Sequence, residues 1–156
     1  MSTQELSDAE FLDAVEAATY PGEKFKHRDH LRLGWLCLRA HGFEAGLERI
    51  RTLVRNYATA LGATAKYHET MTRAWAERMQ AALDETPGPG TFDAFLAAHP
   101  ELLDSMMLAR HYRKETLDSP GAKAGWVPPD LEPLPSRRRH GEARERASAL
   151  GGSGCL

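Results

Sequence analysis

Apolar residues recur every three or four positions along most of this chain, which is the spacing of one face of an α-helix. No stretch alternates strictly between apolar and polar residues or is rich in β-branched residues, so no strand is predicted. The predicted fold class is all-α, a compact bundle of about five helices. The pattern places these helices at residues 7–19, 25–41, 43–61, 66–84 and 100–113, with an additional short helix at 92–98.

Several helix boundaries carry capping signals. Ser7 and Glu10 form an S-x-x-E capping box before the first apolar run. Gly42 and Gly62 follow the second and third predicted helices, where a C-terminal cap often needs glycine. Pro100 fits the first position of the last predicted helix, because the missing N–H is not needed there.

The C-terminal part of the chain changes character. Residues 126–135, WVPPDLEPLP, contain too many prolines for a helix and are predicted to lie over the folded body as an extended strap. Residues 136–156 are basic, then mixed in charge, then rich in glycine, and are predicted to be disordered. We therefore expect a single helical domain over residues 1–135, followed by a disordered tail.

Charge and composition restrict the possible partners. The chain has 20 Lys and Arg against 22 Asp and Glu, a net charge of -2, which does not indicate binding to nucleic acid or to an anionic membrane. No apolar run approaches the roughly 20 residues of a membrane span. The polar start does not resemble a signal peptide, and the two cysteines lie in unlike contexts. A cytoplasmic protein without membrane or nucleic-acid partners is predicted.

Histidines occupy the apolar faces of three predicted helices. His27 and His30 are three residues apart on the second predicted helix and fall within its apolar arc. On the fourth, His68 falls at the centre of the apolar face and Glu69 at its polar edge. His111 faces inward on the last predicted helix. These faces predict a histidine-rich centre in the core.

This cluster of histidines points to a metal. A buried imidazole is unfavourable unless its nitrogens are bonded, so several inward histidines indicate a shared ligand. Three histidines with an open position form a catalytic zinc arrangement, and iron or copper accepts the same ligands. We therefore predict that His27, His30 and His68 bind a transition metal ion (iron, zinc or copper). The predicted function is a small metalloenzyme that acts on a small-molecule substrate.

Other residues near this centre are assigned roles in the same hypothesis. Glu69 would be a general acid or base, or a carboxylate ligand, and His111 a fourth ligand or a base beside the metal. Tyr67, Arg110 and Trp75 are the candidates for binding the substrate.

Two alternatives to the metalloenzyme stay open at this point. One is a metal-free isomerase, lyase or cyclase in which His68, His111 and Glu69 carry protons. The other is a non-enzymatic ligand-binding protein whose histidines form a polar network in the core. The chain lacks both the glutamates of ferritin-like di-iron proteins and an H-E-x-x-H motif, which disfavours those two metal-binding classes.

Four short motifs together resemble those of an abundant family of small, uncharacterised bacterial helical proteins. The motifs are H-x-x-H-L at 27–31, Y-H-E-T-x-T at 67–72, R-H-Y at 110–112 and W-V-x-P-D-L at 126–131. The resemblance covers about residues 8–135 and implies a bacterial origin but no particular activity. The signature positions that it implies are His27, His30, His68, Glu69, Thr70, Arg110, His111 and Trp126.

Overall fold

The computed structural model describes residues 6–86 and 90–135, and none of these residues is in a strand. The all-α prediction is therefore confirmed, whereas the tail predicted to be disordered, 136–156, lies outside the described residues. No helix in the described ranges is long and apolar enough to cross a bilayer. The helices are α1 (Asp8–Glu16), α2 (His27–Ala60), α3 (Glu69–Glu85), α4 (Phe92–Ala98), α5 (Lys114–Asp118) and α6 (Pro120–Ala124). Short 3₁₀ helices lie at Gly22–Lys24, Thr64–Lys66, Pro100–Leu103 and Met107–Arg110.

The helix α1 begins with the predicted capping box. The Ser7 hydroxyl accepts a hydrogen bond from the Glu10 amide at 3.1 Å, and the Ser7 amide donates to the Glu10 carboxylate at 2.9 Å. These two bonds satisfy amide groups that have no partner inside the helix. Phe11 and Val15, which are 0% and 1% exposed, attach α1 to the core.

The helix α2 is a hairpin of two helical segments that meet at Gly42. Its backbone there has φ 80° and ψ −175°, a conformation that favours glycine. Beyond this point the second segment packs against the first at backbone distance. A Cβ atom added at Gly46 would lie 2.9 Å from the carbonyl oxygen of Cys37 and 3.0 Å from the Cα atom of Leu38. The predicted break between two helices at Gly42 is thus confirmed.

The core lies between the α2 hairpin, α1, α3 and α4. The sulfur of Met79 in α3 reaches the first segment of α2, where a Cβ atom added at Gly34 would lie 2.9 Å from it. A small residue at this position therefore sets the close approach of α2 and α3. The largest buried apolar side chains of the core include Phe11, Leu31, Leu33, Trp35, Ile50, Leu53, Met79, Phe92, Phe95 and Leu102.

The prediction of one helix over residues 100–113 is wrong. Pro100 does begin a helix, but it is a short 3₁₀ helix, and the backbone of Asp104 is extended. The Asp104 carboxylate accepts a hydrogen bond from the Met106 amide at 3.0 Å, a local bond that competes with helix formation. A second 3₁₀ helix follows, then α5 and α6, which periodicity did not predict because each has only 5 residues. His111 consequently lies outside any regular helix.

Residues 126–135 form the extended strap that the prolines predict. The Leu131 amide donates to the His111 carbonyl at 2.9 Å, and the Glu132 amide donates to the Arg110 carbonyl at 3.2 Å. Trp126 packs beside Leu108 and Tyr112, and the Arg73 guanidinium lies 4.3 Å from the centre of its ring. The strap therefore closes a second, smaller apolar cluster on the outer side of α3.

Candidate functional site

A partly open cavity of about 230 Å³ lies between the two segments of α2 and the beginning of α3. Three of the lining residues are the histidines predicted to share a centre, and two more, Tyr67 and Trp75, were predicted to bind substrate. The structure therefore brings these five residues to one place. The lining residues are His27, His30, Leu31, Gly34, Ile50, Val54, Lys66, Tyr67, His68, Met71, Thr72, Trp75, Ala76 and Met79.

His30 is a polar residue of the cavity wall whose two ring nitrogens make no hydrogen bond with the described residues. Its ring lies 4.3 Å from the ring of Phe25, and neither ring nitrogen has a hydrogen-bond partner within residues 6–86 and 90–135. Burial, together with the nearby His27, lowers the pKa of His30 to about 4, so the imidazole is neutral at neutral pH. The residue is nevertheless exposed, and it lines the cavity.

His27 keeps one nitrogen available. It begins α2, and its Nε2 lies 2.8 Å from the Leu102 carbonyl oxygen. Since a carbonyl oxygen only accepts, Nε2 carries the hydrogen, and in the neutral form of the ring Nδ1 retains a lone pair. The imidazole also meets the Trp75 ring edge to face, with 4.7 Å between the ring centres. His27 is thus held by two partners and still offers an acceptor.

His68 is used fully by the fold. It was predicted inside a helix, but it is the residue that caps α3. Its Nδ1 accepts a hydrogen bond from the Met71 amide at 3.1 Å, and its Nε2 lies 2.7 Å from the Leu117 carbonyl oxygen. Nε2 must therefore carry the hydrogen, and the lone pair on Nδ1 serves the helix. His68 borders the cavity but has no free nitrogen to offer there.

These contacts change the basis of the metal hypothesis. Among the described residues, no group of three or more His, Cys, Asp or Glu side chains is placed to hold a metal ion. The cavity nitrogens that the fold leaves unused belong to His27 and His30. The metal site stays a prediction, and in this arrangement it depends on those two histidines and not on His68.

Glu69 is placed differently from the prediction. It was expected at a polar edge as an acid–base residue, but it is 8% exposed and does not line the cavity. Arg51 donates from Nε to one carboxylate oxygen at 2.8 Å, and its Nη2 lies 2.7 Å from the same oxygen. The Tyr67 hydroxyl donates to the other carboxylate oxygen at 2.6 Å. Burial and the bond to Glu69 raise the pKa of Tyr67 to about 12. The carboxylate therefore holds α3, α2 and Tyr67 together.

His111 and Arg110 also lie away from the cavity wall. The His111 side chain is 2% exposed, and its Nδ1 donates to the Glu132 carbonyl oxygen at 2.9 Å. Its Nε2 is buried without a hydrogen-bond partner among the described residues. The Arg110 side chain is exposed. The cavity therefore does not assemble the acid–base set of His68, His111 and Glu69, and the metal-free enzyme stays a prediction.

All but two of the signature positions, Glu69 and Arg110, fall into two structural groups. His27, His30 and His68 line the cavity, whereas Thr70, His111 and Trp126 hold the strap. The Thr70 hydroxyl, which is fully buried, donates to the Gly125 carbonyl at 2.7 Å and accepts from the Val127 amide at 3.1 Å. The Tyr112 hydroxyl donates to the Val127 carbonyl at 2.7 Å. The strap is thus fixed through main-chain groups, not through its own side chains alone.

Sequence reasoning missed two polar residues of the cavity. Lys66 lies in the 3₁₀ helix before α3 and is exposed, and Thr72 donates from its hydroxyl to the His68 carbonyl at 2.7 Å. Thr72 was visible in the apolar arc of its helix, four residues after His68. Lys66 carried no signal, because the turn that brings it to the cavity does not follow from helix periodicity.

The wall of the cavity is therefore mostly apolar, with one unpaired neutral imidazole. Such a surface binds small molecules that combine apolar area with a single hydrogen-bonding group. Comparisons with protein-family models, with curated proteins and with solved structures gave no match to this chain.

Proposed function

We propose that this protein binds a small, largely apolar molecule in the cavity between α2 and α3. The observation that carries this proposal is His30, a neutral imidazole with two unpaired nitrogens on a mostly apolar wall. Water serves these nitrogens when the cavity is empty. A ligand hydroxyl or carbonyl replaces that water with equivalent hydrogen bonds while its apolar part leaves solvent.

The size of the cavity limits the ligand. An engineered protein cavity of about 150 Å³ holds benzene, so a larger cavity of this kind accepts about ten non-hydrogen atoms. The cavity of about 230 Å³ is therefore suited to a substituted single ring or a short branched chain. The rings of Trp75 and His27, which meet edge to face, supply aromatic surface for such a group.

The test is protein-observed NMR of the full chain with phenylethanol and phenylacetamide. Both probes are expected to shift the amide signals of residues that line the cavity. His30→Leu should weaken phenylethanol binding by about fivefold, the value of one neutral hydrogen bond. His41→Leu is the matched control, because His41 is an exposed histidine beside Gly42 and should leave binding unchanged. If neither probe perturbs the cavity residues, the proposal fails.

A second candidate function is a metal centre held by His27 and His30. It is favoured by the nitrogens that these two residues leave unused on one cavity wall. Nitrogen ligands of this type suit zinc, copper and iron, with ligand or water completing the coordination. Elemental analysis of the purified protein and titration with Zn²⁺ test it. Binding that is lost in His30→Leu and kept in His41→Leu would support the metal centre, and absence of any binding would reject it.

A further inference from the structure

We infer that the molecule bound in this cavity is a small carboxylate, whose anionic end lies against Lys66 and whose apolar part fills the space toward Trp75. This inference rests on the proposed function and adds the chemical class of the ligand. It follows from the distribution of charge around the cavity.

Apart from the histidines, the described lining residues include a single side chain that carries a full charge at neutral pH. That charge is the ammonium group of Lys66, and none of the described lining residues is Asp or Glu. Lys66 is exposed, so it stands where the cavity meets solvent. It makes no ion pair with any described residue. A carboxylate on a ligand would therefore find at this mouth a cation that no described acidic residue neutralises.

The residues next to Lys66 add to this positive edge. The guanidinium of Arg55 lies 4.9 Å from the centre of the Tyr67 ring, is exposed, and has no ion-pair partner in the described part of the chain. Glu69, which follows Lys66 closely in the chain, is already bound by two nitrogens of Arg51. The local field thus favours an anion at the mouth, and it attracts one from solution.

The interior of the cavity is not suited to the charged end. The side chains there are apolar or neutral, including Trp75, Met79 and the uncharged His30. A carboxylate placed among them would lose its hydration without gaining a cation. The anionic end is consequently placed at Lys66, and the apolar remainder occupies the wall formed by α2 and α3. His30 is left to bond a polar substituent within the ligand.

The test compares phenylacetate with phenylacetamide, which have the same number of non-hydrogen atoms and differ in charge. The full-length protein should bind the acid about threefold to fivefold more tightly than the amide, the range of an exposed ion pair. Lys66→Met keeps the length of the side chain and should remove this preference. Lys123→Met is the control, because that lysine is exposed on α6 and does not line the cavity. Raising the salt concentration should also reduce the preference.

The outcomes separate this inference from the proposed function. Equal affinity for acid and amide, or a preference for the acid that Lys66→Met leaves intact, overturns the carboxylate inference while ligand binding stands. Absence of cavity shifts with all probes overturns both. A preference that disappears in Lys66→Met and persists in Lys123→Met supports the inference.

Discussion

His68 joins the beginning of α3 to the end of α5, because its Nε2 lies 2.7 Å from the carbonyl oxygen of Leu117. Its Nδ1 caps α3 at the same time. The residue that looked most like a metal ligand in the sequence is therefore a structural connection between two parts of the chain that are 49 residues apart.

Replacement of His68 should lower the free energy of unfolding, by an amount that depends on how many of its two hydrogen bonds the new residue keeps. His68→Asn keeps a side chain that can cap the helix but cannot reach Leu117, and should lose about 1 kcal/mol. His68→Ala loses both bonds and should lose about 2 kcal/mol. Urea unfolding measures both values. Unchanged stability in both variants, combined with lost metal binding, would contradict the structural role and favour the metal hypothesis.

The pH dependence of stability should show the environment of His30. Burial lowers the pKa of His30 to about 4 from its ordinary 6.5, so the unfolded chain binds more protons between these values. Stability should therefore fall as the pH decreases from 6.5 to 4 and change no further from this group below pH 4. The free energy of unfolding should change by less than about 1.4 kcal/mol per pH unit, because the ring is accessible through the cavity.

The measurement is urea unfolding of the protein and of His30→Leu between about pH 7 and about pH 4.5. Relative to the unmodified chain, the variant should become more stable as the pH falls, since the leucine takes up no proton. His41→Leu is the control, because it replaces a histidine that does not line the cavity. Parallel curves for His30→Leu would show that His30 titrates normally.

Glu69 should prove more important for stability than for binding. Glu69→Gln leaves Arg51 without its buried partner and weakens the bond from Tyr67, which should lower the free energy of unfolding by about 2–4 kcal/mol. Glu48→Gln is the control on the same arginine, because the Glu48 side chain is 68% exposed. Its loss should be below about 0.5 kcal/mol. Similar losses in the two variants would contradict the buried role of Glu69.

Thr70 should determine how firmly the strap is attached. Thr70→Val keeps the shape of the side chain and leaves the Gly125 carbonyl and the Val127 amide without the hydroxyl that bonds them. The expected loss is about 1–3 kcal/mol, because both groups are main-chain groups in a partly buried position. Hydrogen exchange at Val127 should accelerate more than exchange in α1. Exchange that rises equally in both places would show that the bond contributes only to global stability.

The parts of the fold that follow from local signals were predictable. The capping box of α1, the break at Gly42 and the extended strap depend on residues within a few positions of each other. That His27, His30 and His68 lie close together also followed from helix periodicity, which put the first two on one apolar face and the third on the apolar face of the next predicted long helix but one. The placement of His68 inside that helix was wrong, because it is the residue that caps α3.

The parts that depend on distant partners were not predictable. The buried position of Glu69 depends on Arg51, 18 residues earlier on another helix, and the face of one helix does not reveal it. The position of His68 was missed because its side chain replaces a missing bond at the start of α3, which is a capping role unusual for histidine. The helix predicted over 100–113 failed at Asp104, whose side chain bonds the backbone locally.

Gly46 does not line the cavity, but it affects the spacing of the two segments of α2 that do. The α2 hairpin closes at backbone distance there, whereas the cavity lies nearer its open end, between His30 and Val54. Gly46 thus sets the distance between the two segments of α2, and any larger residue at position 46 would force these segments apart. The size of the cavity can therefore change through a residue outside its wall, which leaves the chemistry of the wall intact.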